Sequence, residues 1–238
     1  MKNLLDIHTH SVLSLHAFSS LTENIEQASK IGLKVYGISE HQYDDVGVGA
    51  HYFAQNNTRV FPEYYEGTRV LKGIELNILD GHFDVEKIRI SELDYCIASM
   101  HGYVYSAKHS AKENTDNYIM ACNTDYIKII GHMDSSVYPC DYEAVILEAI
   151  KNNKLIELNN ASLDPRGCRP GARENDKKIL ALCVKHNCPI IVNSDAHIKY
   201  DIGKLDNALE LLKEVNFPDE LVVNYDLDLF NKYIKLEK

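Results

Sequence analysis

The stretch Leu4-Leu5-Asp6-Ile7-His8-Thr9-His10 decides how the rest of this chain is read. An apolar start followed by alternation marks a β-strand, and its two-residue period sends His8 and His10 to the same side. Neutral imidazole is the commonest protein ligand for a divalent metal, so a His-x-His pair at a strand end delivers two ligands with little backbone adjustment. The pattern recurs along the chain. Residues 35–39 run into Glu40-His41, 69–74 into Glu75, 95–99 into His101, 126–131 into His132, 155–158 into Asn159-Asn160, and 190–193 into Asp195 and His197. Strands alternating with helical stretches predict a parallel sheet with helices outside, and seven such units without a switch point favour a closed α/β barrel over an open sheet. The polar residues that follow the strands fall on the C-terminal rim, where barrel enzymes keep their active sites.

Between these strands the local signals are uneven. Ser20-Leu21-Thr22-Glu23 matches a capping box for a helix that carries Leu21, Ile25, Ala28 and Ile31 and stops at Gly32. The polar stretch 42–58, with His51, reads as a long loop before a short helix over 62–69. Asp80-Gly81 signals a small hairpin, and the next helix is expected from near Thr115. Asp141 opens an amphipathic helix through Val145, Ile146 and Ala149. Further helices are expected over 174–186, 205–215 and 227–236.

Composition bounds the function. The 238 residues are 45% hydrophobic, enough for one large α/β domain, and no linker, repeat or low-complexity tract divides 1–238. A formal net charge of -10 disfavours a broad nucleic-acid-binding face, although metal ions can still draw a small phosphate into an acidic molecule. Six cysteines without a C-x-x-C pair, and no signal-type segment at the start, point to reduced thiols and a cytoplasmic protein. No apolar run approaches the roughly 20 residues that cross a bilayer.

The candidate site is His8, His10, His16, His41, Glu75, His101, His132, Asp195 and His197. Any one of them is readily a half-exposed, hydrogen-bonded side chain. Together, seven imidazoles and two carboxylates at one rim would suffer uncompensated desolvation and mutual repulsion unless metal joined them. Nine ligands exceed what one ion needs and suit two or three ions that share a bridging carboxylate.

This series resembles the PHP (polymerase and histidinol phosphatase) family, and within it the small YcdX-like phosphatases. The likeness spans the chain: Asp6-Ile-His-Thr-His10, His16, Glu40-His41, Gly73-Ile-Glu75-Leu-Asn77, His101, His132, Glu157-Leu-Asn-Asn160 and Ser194-Asp-Ala-His197. It implies a distorted (β/α)7 TIM-like barrel with a trinuclear site. The first ion would be held by His8, His10, Glu75 and Asp195, the second by Glu75, His101 and His132, and the third by His16, His41 and His197. Two departures stand out: Glu40 where the family commonly has Asp, and Met133 where the subgroup often has Pro. His51, His82, His109 and His186 match nothing in the motif set and are assigned to structure or surface.

The reaction expected of such a site is hydrolysis of small phosphomonoesters by a metal-bound hydroxide, with Glu75 bridging and Asp195 handling a proton. Imidazole and carboxylate donors without thiolate suit two to three zinc, manganese or iron(II) ions. A phosphomonoester also invites a guanidinium fork, and the loop after residue 160 offers Arg166 and Arg169, with Arg173 abutting the next helix. The expected partner is therefore a small phosphorylated metabolite, with homo-oligomerisation left open. Three alternatives compete: a histidinol-phosphate phosphatase, a PHP-type nuclease, and a metal-binding module without catalysis.

Overall fold

A computed structural model describes residues 2–42, 52–57, 60–167 and 169–236; the expectation for His51 falls outside them. The strands are β1 (Leu5–Asp6), β2 (Val35–His41), β3 (Tyr64–Tyr65), β4 (Thr68–Asn77), β5 (Tyr95–Ser99), β6 (Ile127–Ile130), β7 (Leu155–Asn159) and β8 (Ile190–Asn193). Seven of them pair in parallel in the order β1-β2-β4-β5-β6-β7-β8, and β3 lies antiparallel on β4. The seam between β8 and β1 is closed by a single parallel bridge, Thr9 to Ala196, and by the Asn193 side chain, which accepts from the Ile7 amide at 3.1 Å. The result is a nearly closed seven-stranded barrel of the expected class, pinched at one seam.

Around it run α1 (Leu21–Lys30), α2 (Tyr52–Gln55), α3 (Ala111–Cys122), α4 (Tyr142–Lys151), α5 (Ala172–Lys185), α6 (Asp206–Glu214) and α7 (Leu227–Phe230). The Ser20 capping box forms as read, and Gly32, at φ 82°, ends that helix in the left-handed region. Asp141 caps α4 through the Ala144 amide at 3.0 Å.

Four local expectations are corrected. In place of a helix over 62–69 there is a hairpin, β3 to β4, because Glu66 and Gly67 both take positive φ and Tyr64-Tyr65 suits a strand. The hairpin expected at Asp80-Gly81 reduces to one backbone bond, Leu79 to His82, since the Gly81 amide donates instead to Asn117 of α3. Helix α3 begins at Ala111, under a Ser110–Glu113 capping box, and not near Thr115. The last helix stops after one turn at Phe230, and the Leu236 amide is taken up by the Asn231 side chain.

The barrel interior is an apolar plug. Leu5, Ile7, Val35, Leu71, Ile97, Ile129, Leu155 and Ile191 fill it, and Val223, Phe230 and Ile234 close its lower end. Tyr95 lies across it, fully buried, its hydroxyl at 2.5 Å from the Ile7 carbonyl and 3.1 Å from that of Ile38. Two glycines make room for that ring, since a Cβ at Gly37 or Gly73 would overlap Tyr95 atoms. Gly73→Ala is expected to destabilise the fold by about 2 kcal/mol or more through overpacking, read as a lower urea midpoint. An unchanged midpoint would mean that the Tyr95 ring moves freely.

Candidate metal centre

All the candidate residues but His16 sit at or just beyond the end of a barrel strand. His8 and His10 follow β1, His41 closes β2, Glu75 lies near the end of β4, His101 follows β5, His132 follows β6, and Asp195 and His197 follow β8. His132 and Asp195 hold positive φ of 21° and 55°, sparsely populated for side chains of this kind, at the point where each strand turns outward.

Glu75 is the hub. It is fully buried; its Oε1 lies 2.9 Å from His132 Nε2 and 3.3 Å from both His8 Nε2 and His101 Nε2, while Oε2 lies 2.8 Å from His41 Nδ1 and 3.7 Å from His10 Nε2. Asp195 Oδ1 sits 3.1 Å from His10 Nε2 and 3.7 Å from His8 Nε2. The ligand atoms fall into four overlapping groups: His8, His10 and Asp195; His8, Glu75 and His132; His41, Glu75 and His101; and His10, His41 and His197. His16 joins from the rim, its Nε2 facing His197 Nε2 at 2.9 Å. His41 thus reaches both the Glu75 side and the His10–His197 side of the cluster.

The imidazoles are aimed by what lies behind them. His8 Nδ1 donates to Glu157 Oε1 at 2.7 Å, His101 Nδ1 faces Asn77 Oδ1 at 2.8 Å, and His197 Nδ1 faces the Asp195 carbonyl at 2.9 Å. Each contact commits one ring nitrogen as donor and turns the other, with its lone pair, toward the centre. Glu157 was not singled out as a functional residue from the sequence, yet it is fully enclosed by polar partners. It accepts from His8, Asn193 and Asn159 side chains and from the His132 amide at 3.0 Å. Only its place in the Glu157-Leu-Asn-Asn160 run hinted at this. Glu40 works one layer out: it accepts from the Ser11 amide and from the Ser11 and Ser14 hydroxyls, and Ser14 in turn accepts from the His41 amide at 3.0 Å. The longer carboxylate at this position therefore ties the His10–His16 turn to β2.

Charge follows geometry. Burial opposes ionisation of Glu75, but His101, His8 and His41 outweigh it and hold its carboxyl well below the usual range. Asp195 behaves likewise, with burial overcome by His8, His10 and Arg169. Burial and the neighbouring His41 keep His10 neutral far below the ordinary histidine value, whereas at His8 burial is outweighed by Glu157, Glu75 and Asp195, which raise it. The fit to metal can be tested on the orphaned atoms. His8 Nε2, His10 Nε2, His41 Nδ1, His101 Nε2, Glu75 Oε2 and Asp195 Oδ1 are all buried and make no hydrogen bond. Buried polar atoms are rarely left so, and these six converge on one region. Imidazole lone pairs and ionised carboxylate oxygens at that density are the donor set of divalent cations.

The arginines separate. Arg169 lies against the cluster, its NH1 and NH2 at 3.3 and 3.2 Å from Asp195 Oδ2 and its NH1 at 3.0 Å from Ser162 Oγ. Arg166 is 90% exposed along its side chain and forks onto Asp164 at 3.0 and 2.6 Å. Arg173 pairs with Glu210 and Glu214 on α6. Of the remaining histidines, His186 pairs with Glu143 at 2.7 Å, His109 stacks on Tyr105, and His82 faces the Asp80 carbonyl.

Comparison with known proteins gives the family and the fold. A probable phosphatase of Clostridium botulinum is 38% identical over 237 residues, covering 99% of this chain and 96% of the relative. One from Clostridium acetobutylicum is 40% identical over the same coverage. Among solved structures, the histidinol phosphate phosphatase of Lactococcus lactis, complexed with zinc, L-histidinol and phosphate, superposes with a TM-score of 0.63. The two share 19% identity over 91% of this chain and 95% of that one, a likeness of fold. The family model of the PHP domain matches residues 6–161, and with these relatives it establishes that the chain belongs to the PHP domain family.

Proposed function

We propose that this protein is a metal-dependent phosphatase of small phosphomonoesters, with His8, His10, His16, His41, Glu75, His101, His132, Asp195 and His197 as its metal ligands. The observation that carries the reading is the convergence of six buried ligand atoms without hydrogen bonds on one barrel rim. The names of the 38% and 40% identical relatives support the phosphatase assignment. Two to three zinc, manganese or iron(II) ions held there would lower the pKa of bound water and offset phosphoryl charge. His8, His10 and Asp195 would share the first with Glu75, Glu75 would share the second with His101 and His132, and His16, His41 and His197 would hold the third. Glu75 suits bridging because its two oxygens face different imidazoles.

The chain's own groups supply the remainder. Asp195, kept ionised by His8, His10 and Arg169, takes up the proton as water attacks and returns it to the departing alcohol. Arg169 spans the Asp195 side of the cluster and offers its guanidinium to a phosphoryl oxygen, while Arg166 stands farther out and meets the rest of the substrate.

The test is elemental analysis of protein purified without chelator, followed by phosphate release from a panel of sugar, nucleotide and histidinol phosphates with each metal restored. Two to three ions per chain and turnover of phosphomonoesters are expected. One ion or fewer, or metal without hydrolysis of any phosphoester, would sink the proposal. Arg169→Ala should lower kcat/KM by about tenfold or more, roughly 1.4 kcal/mol, with metal content retained; parental kinetics would assign phosphate binding to the metals alone. Glu157→Gln frees the tautomer of His8, so metal affinity measured by chelator competition should fall by about 10–100-fold. An unchanged affinity would show that His8 is aimed by something else.

A further inference from the structure

A cavity of about 270 Å³ opens beside Asp195, between the segment after β7, the turn after β8 and the start of α6. Its wall includes Asn160, Asp164, Arg166, Asp201, Lys204 and Asp206. Among the described residues, no aromatic, leucine, isoleucine, valine or methionine side chain lines it, and its aliphatic residues are Ala161 and Ala196. All three segments emerge from the same rim as the metal centre, and Asp195 belongs both to the cavity wall and to the ligand cluster.

The walls are fixed from outside the cavity. Buried Asp6 accepts from the Ser194 amide at 3.1 Å, the Ser194 hydroxyl at 2.6 Å and the Gly203 amide at 2.8 Å, which joins two of the three segments. Asn160 Oδ1 accepts from the Ala208 amide at 3.0 Å, which joins the third to α6 and leaves the Asn160 amide nitrogen as a donor. Within the wall the charges alternate: Arg166 is forked onto Asp164, Lys204 sits 3.1 Å from Asp201, and Asp206 adds a carboxylate at the first turn of α6.

We infer that this cavity is the subsite for the alcohol half of the substrate, and that it takes a polyhydroxylated group, so that the substrate class is sugar or polyol monophosphates. The inference rests on the phosphatase reading above. A second anionic group placed here would meet four carboxylates, Asp164, Asp195, Asp201 and Asp206, and a simple cation would meet Arg166 and Lys204. An aryl or purine group would find no apolar face to stack on. Hydroxyls alone both donate to the carboxylates and accept from the guanidinium, ammonium and amide groups. A site that offers donors and acceptors to hydroxyls favours esters that carry them over analogues that lack them.

The test compares kcat/KM for pentose, hexose and glycerol phosphates with that for p-nitrophenyl phosphate in the metal-loaded parent, in Lys204→Gln, in Asp206→Asn and in the double variant. Lys204 and Asp206 are exposed, and loss of a surface ion pair costs little stability, so thermal melts are expected to stay near the parent's. The ratio of kcat/KM for the best polyol phosphate to that for the aryl ester should fall about tenfold in the double variant, with the change lying mainly in KM. A ratio unchanged across all variants while the parent hydrolyses both esters overturns the subsite and leaves the phosphatase reading standing. A parent that hydrolyses neither ester overturns both.

Discussion

The structure depends on how a carboxylate with no access to water is kept charged. Glu75 lies at the centre of the barrel mouth with its two oxygens surrounded by five imidazoles. A single buried carboxylate would take up a proton; this one is held ionised by the imidazoles against it, His101, His8 and His41 foremost. That arrangement has no use in a purely structural core, where an apolar residue of similar size would serve as well or better. It fits the metal-ligand role proposed for Glu75.

The cost of aiming so many side chains at one place is borne in the backbone and in the layer behind. His132 and Asp195 sit at positive φ, and Glu157 spends all its hydrogen-bonding capacity on His8, the His132 amide and two asparagines. Asp6, although part of the first motif, is engaged in stitching Ser194 and Gly203 together. The two sides of the open seam are thus held by polar side chains where ladder hydrogen bonds are few. This places β1 and the turn after β8, which together carry His8, His10, Asp195 and His197, in fixed relation.

Much of this was legible in the chain itself, for identifiable reasons. Apolar runs ending in His, Glu or Asp mark strands and their rim together, because in a parallel barrel the same end of every strand faces the site. Capping boxes are local and mark helix starts, as Ser20–Glu23 does for α1 and Ser110–Glu113 does for α3, which begins at Ala111, four residues ahead of Thr115. What resisted reading depends on tertiary partners. Tyr64-Tyr65 becomes a strand only because β4 offers it an edge, and Gly81 makes no hairpin because Asn117 is at hand. Arg166 and Arg169 look alike in sequence; one meets Asp195 and the other Asp164 only once the loop is folded. Glu157 was visible as a letter, but its task depends on His8, 149 positions away.

Tyr95 gives the molecule a direction. Its ring, admitted by Gly37 and Gly73 and moored to the Ile7 and Ile38 carbonyls, seals the barrel axis just beneath His8, and Phe230 and Ile234 seal it again below. The vessel therefore has a floor, with the candidate ligands gathered at the opposite end. With the axis filled below, nothing crosses the barrel from end to end, so whatever reaches the rim of ligands arrives from the side where the strands end and departs on that side too.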